Sequence, residues 1–153
     1  MNRMRPVQNR DIGNIIVAGI LVAVVSQILT TVEAFLTMEI YLMEEFFPVW
    51  SRIMMPDAGP PPVTFYLYSI AFSLILGILY AAVFRVIEEG IPGTGIRKGL
   101  CYGFILFLVS GLPFLLTTYL LINLPAQFFI AGTVFGFIGY IVYGIVINAI
   151  VGR

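Results

Sequence analysis

FFIAGTVFGFIGYIVYGIVINAIV, residues 128–151, runs for 24 residues without a charge. A helix of that length reaches about 36 Å, enough to cross a hydrocarbon core of about 30 Å. A continuous apolar stretch this long predicts a transmembrane helix rather than a strand or a buried core helix. Working outward, three further stretches qualify as spans, at about 12–36, 65–87 and 100–122. Pro, Gly and charged residues mark the breaks between them. Pro113 lies inside the third and removes one backbone bond, so a kink is expected there.

Composition agrees with that reading. Of 153 residues, 60% are hydrophobic and 10% are charged, against about 45–50% and about 25% in a soluble domain. The mean hydropathy is +1.03. These values exclude an ordinary soluble globule, a disordered chain and a nucleic-acid-binding protein. Lys+Arg and Asp+Glu both count 8, so net charge points to no partner. With no His and one Cys, the chain lacks the means for a His-ligated haem or zinc, a Ser-His or Cys-His pair, or an intrachain disulfide.

Four spans put both termini on one side. Arg3, Arg5, Arg10, Arg85, Arg97, Lys98 and Arg153 fall on that side. Arg52 falls on the other, beside Glu39, Glu44, Glu45 and Asp57. The positive-inside rule then predicts cytoplasmic N- and C-termini. Arginines ahead of an apolar run also mark signal peptides, but this run is longer than an h-region, and no clear small-residue cleavage motif follows it. An uncleaved first helix is expected.

The expected fold is all-α, an integral membrane four-helix bundle forming one domain over 1–153, with one ordered outer loop at about 37–64. That loop holds Phe46-Phe47-Pro48-Val49-Trp50 and ends in Pro60-Pro61-Pro62. Its aromatics suit the outer interfacial belt. In the second connection, Thr94 is placed to cap the helix that follows. The spans also admit a reading as two repeated two-helix hairpins. Ile70-Ala71 and Ile78-x-Tyr80 recur sixty residues on as Ile130-Ala131 and Ile138-x-Tyr140, and Gly19 matches Gly103.

Small residues let helices approach closely in lipid. Gly19, Ser73, Gly77, Gly103, Gly132, Gly136, Gly139 and Gly144 are the expected packing positions. Glu33 is the only acidic residue inside an expected span, and a carboxylate there is costly and often functional. It is a candidate for binding a cation, relaying a proton or pairing with another subunit's arginine. It also lies about 31 Å along the helix from Ile12, which brings it near the outer interface. Glu33, Gln27, Thr30, Tyr80, Tyr140 and Asn148 are the candidates for an intramembrane polar site, with hydrogen bonding across the bundle as their structural alternative.

Other features have plainer readings. The methionines of the outer loop lack any M-x-x-M or M-x-M pattern, so packing is expected and no metal site. Residues 90–99 are glycine-rich but fit neither a phosphate loop nor a dinucleotide fingerprint. Arg97 and Lys98 suit anionic lipid headgroups. Cys101 suits either palmitoylation or an inert buried thiol.

The polar-ended first span, the Trp50 loop and the Pro92-Gly93-Thr94-Gly95-x-Arg97-Lys98-Gly99 turn together resemble small four-helix integral membrane proteins of bacteria and archaea with no assigned activity. The resemblance implies the topology and a prokaryotic inner membrane. It brings no catalytic or binding residue.

The function expected is that of a structural or accessory membrane protein. Its partners would be the bilayer and either copies of itself or other membrane subunits. A small transporter or channel for an ion or apolar solute, using Glu33, is the alternative. A lipid- or quinone-modifying enzyme comes third, since no acid–base pair is evident. No catalytic residue, cofactor or nucleic-acid partner is expected.

Overall fold

The chain is described from a computed structural model covering residues 9–57 and 59–152. Arg3, Arg5 and Arg153, which carry part of the charge asymmetry, lie outside the described residues. In chain order, α1 is Asn9–Leu36, α2 Met38–Leu42, α3 Val63–Ile87, α4 Ile96–Leu106, α5 Leu112–Leu121 and α6 Ala126–Val151. No strand occurs among the described residues. Four helical runs are long and apolar enough to cross a membrane: Arg10–Leu36, Val63–Gly90, Ile96–Leu121 and Ala126–Val151. The fold is an all-α four-helix membrane bundle.

Prolines set where two spans begin. Pro62 and Pro125 stand in extended conformation directly ahead of α3 and α6. Each fixes its own φ and keeps the preceding residue out of a helix. The turn into α4 needs glycine at Gly93 and Gly95, which have φ of 94° and 53°. Gly95, not Thr94, holds the position ahead of α4, and no side chain caps it. Positive φ at that position favours glycine, which displaces the expected threonine cap.

The third span is built from two helices joined by a π turn at Phe107–Gly111. Pro113 offers no N–H to the carbonyl of Val109, and its ring presses on that carbonyl. The helix responds by widening, and Leu112 N–H donates to the Phe107 carbonyl, five residues back. The kink expected from Pro113 therefore takes the form of one inserted residue.

Helix α6 is central, packing on α4 and on α1, while α1 also packs on α3. Glycines set two of these seams. A Cβ at Gly77 would come within 2.6 Å of the Gly19 carbonyl oxygen. A Cβ at Gly99 would lie 2.8 Å from the Ile145 Cα, and one at Gly103 would lie 2.7 Å from the Ile141 Cα. A Cβ at Gly144 would meet the backbone of Gly99 and Gly103. Such backbone-to-backbone approach is available only to the smallest residues. At Gly132, Gly136 and Gly139 the nearest neighbours are side chains instead.

The contiguous core lies toward the end of the bundle that holds both described termini. It includes Ala18, Val22, Phe84, Tyr102, Ile147 and Val151. Helix α5, near the loop end, buries none of its residues. The bundle is thus tight at the terminal end and splayed at the loop end.

Candidate functional site

Gln27 stands midway along α1 with its amide turned to α3. Its Nε2 donates to Ser69 Oγ and to Ser73 Oγ, each at 3.0 Å. The two serines are four residues apart and share one face of α3, so one amide serves both. Ser73 Oγ lies 3.4 Å from Ser26 Oγ, and Tyr143 of α6 borders the same space. Tyr80 of α3 and Tyr140 of α6 face each other with hydroxyls 3.4 Å apart. Tyr102 of α4 donates to the Tyr80 carbonyl at 2.6 Å. A chain of polar contacts thus links four helices, and its groups serve one another where lipid offers them nothing.

A cavity of about 140 Å³ lies along these contacts. Helix α1 contributes Val22 and Ser26, and α3 contributes Ser73, Leu76 and Tyr80. Helix α6 supplies Gly136, Tyr140 and Tyr143. The walls carry hydroxyls, aromatic rings and aliphatic groups, and no charge. Helix α1 packs closely on both neighbours, whereas α3 and α6 meet less. The cavity lies midway along the spans.

The six residues expected to form one polar site occupy three levels. Tyr80 and Tyr140 line the cavity, and Gln27 supports it through Ser73. Thr30 is exposed and donates to the carbonyl of Ser26 on its own helix at 2.9 Å. Asn148 lies at the terminal end, where Nδ2 donates to the Gly95 carbonyl at 2.9 Å and ties α6 to the start of α4. Glu33 lies toward the loop end. Its Oε1 faces Gly132, 3.4 Å from where a Cβ would sit, and Leu115 of α5 borders the same space.

Past the end of α1, Tyr41 stacks on Trp50 at 4.6 Å between centroids, with Phe128 closing the cluster. Burial raises the Tyr41 phenol above its ordinary pKa, and the charge of Glu33 raises it further. A hydrogen bond with the Thr37 hydroxyl works the other way.

Sequence reasoning missed a cluster at the terminal end. Arg85, read as one of the flanking positive charges, is turned inward. Its Nη1 contacts Glu88 Oε1 at 2.7 Å, and its Nη2 contacts Asp11 Oδ2 at 3.5 Å. All three side chains are one-tenth exposed or less. The i,i+3 spacing of Arg85 and Glu88 was the available signal. Lys98 holds its ammonium 5.9 Å from the Phe84 ring centroid, a cation–π distance, and Arg97 is exposed. Cys101 is half-buried against the core.

Among the described residues no three His, Cys, Asp or Glu side chains gather to hold a metal. The chemistry the cavity offers is hydrogen bonding and ring contact. No family model, no curated protein and no solved structure matches the chain.

Proposed function

We propose that this chain is a structural or accessory protein of the bacterial or archaeal inner membrane, working by association with itself or with another membrane subunit. The observation that carries this reading is the setting of Glu33. Its carboxylate is half-buried in the last turn of α1, with Oε1 facing Gly132 of α6. The helix dipole there is negative and opposes the charge. Among the described residues no cation pairs with it. A cationic or hydrogen-bonding side chain from a neighbouring subunit would remove the cost of that burial.

The orientation that goes with this reading has both termini in the cytoplasm. Arg10, Arg85, Arg97 and Lys98 stand at one end of the bundle, and Arg52 stands at the other among four carboxylates. Transport is the second reading, and what favours it is the uncharged cavity midway along the spans.

A mild-detergent pull-down of the tagged chain, followed by native mass spectrometry, tests association. The expected species is heavier than one chain, and Glu33→Gln reduces its share. A wild-type chain that elutes as a monomer in native-like nanodiscs overturns the proposal.

A further inference from the structure

The cavity between α1, α3 and α6 has features that packing alone does not require. Its volume of about 140 Å³ is close to that of an engineered cavity of about 150 Å³ that admits one benzene. Gly136 lines the space. A Cβ there would meet nothing nearer than 4.0 Å, so no backbone contact demands glycine at this position. Two hydroxyl pairs border the space, Ser26 with Ser73 and Tyr80 with Tyr140, and each pair stands 3.4 Å apart. Hydroxyl pairs usually close to about 2.7–2.8 Å. Ser73 already accepts from Gln27 and donates toward Ser26, and one tyrosine of the other pair donates to its partner. In each pair one O–H and several lone pairs therefore remain for an oxygen that bridges the pair from the cavity side.

The rest of the lining selects the molecule. Val22, Leu76 and the faces of the tyrosine rings favour an apolar, flat body over a cluster of water. The walls carry no charged side chain to neutralise an ion, and an unpaired charge at this depth is costly. The cavity lies midway along the spans, at the depth where a molecule dissolved in the hydrocarbon resides. We infer that this cavity binds a neutral six-membered ring bearing one or two oxygen substituents, the ring lying against the tyrosines and the oxygen between the paired hydroxyls. A free phenol and the head of a tailed quinone share that chemistry. The inference is independent of the association reading, because Glu33 takes no part in the cavity.

The test uses the full chain in nanodiscs with para-fluorophenol as probe, read by fluorine NMR. Saturable binding is expected, and fluorobenzene, which lacks the oxygen, should bind about tenfold more weakly. Gly136→Leu fills the cavity and should abolish phenol binding without changing the elution profile. Should that variant misassemble, Tyr140→Phe keeps the ring and removes one hydroxyl. It should weaken phenol binding about fivefold while leaving fluorobenzene unchanged. Displacement of the phenol by a decyl-tailed benzoquinone assigns the site to a lipid-borne head. Phenol binding that resists displacement assigns it to a free ring. No saturable binding in the wild type overturns the inference. So does phenol binding that survives both substitutions unchanged.

Discussion

Gly144 and Gly136 lie two turns apart on the same helix, and their environments are opposite. A methyl group on Gly144 would press on the backbone of Gly99 and Gly103, which has no flexible end to move aside. Gly144→Ala is therefore expected to destabilise the α4–α6 hairpin by about 1–3 kcal/mol, as overpacking does. Gly136→Ala meets open space and is expected to be neutral or to stabilise by up to about 1 kcal/mol, through the better helix propensity of alanine. Thermal unfolding of both variants in detergent, followed by circular dichroism, checks the contrast. Equal behaviour would mean that glycine spacing alone, and not the local approach, decides the cost. The residue scale is also where sequence reading ran out. Glu33 is six residues from Gln27, which turns it about 240° round the helix onto another face. Asn148 is eight residues from Tyr140, about 12 Å further along. Polar residues could be picked out by type. Their grouping depended on the rotation of each helix, and an apolar helix surface gives little periodic signal by which to read that rotation.

The spans were readable because about 20 apolar residues in a row leave few alternatives. Pro113 was readable as a perturbation. The form of the perturbation was not, because a kink and a π turn both relieve the same clash, and packing chooses between them. Gly111 lies against the Tyr140 ring, and Phe107 packs on Phe137 at 5.2 Å, so the widened turn serves both contacts. A π turn amounts to one extra residue in an α-helix. Deleting Leu108 together with Pro113→Ala should therefore restore a continuous helix and leave the flanking faces in register. Deleting Ile75 from the regular helix α3 should rotate everything beyond it by about 100° relative to Ser69 and break the Tyr80–Tyr140 contact. Fluorescence-detected size exclusion should show a single peak for the first variant and aggregation for the second. Aggregation of both would count against the inserted-residue account.

The whole bundle is asymmetric in both charge and contact. With cytoplasmic termini, a cysteine placed at Asp57 should react with an impermeant thiol reagent in intact cells, and one placed at Gly93 should react only after lysis. The reverse pattern would invert the topology. Tyr80 and Tyr140, sixty residues apart in the two halves, face each other as positions beside a pseudo-two-fold axis would. Yet the broad contact of α1 with α6 has no close counterpart between α3 and α4, because the π turn and α5 draw the third span aside. The central place of α6 also bears on how the chain is made. Asp11 leaves the ribosome 74 residues before Arg85, an interval of about 4–15 s at common translation rates. The α1–α3 hairpin can close once Arg85 has emerged. Helix α4 then has to wait, its glycine face bare to lipid or to the insertion machinery, until α6 emerges behind it. A ribosome stalled short of α6 would hold a half-built bundle with that face uncovered, the stage at which a membrane chaperone or a quality-control protease has most to grip.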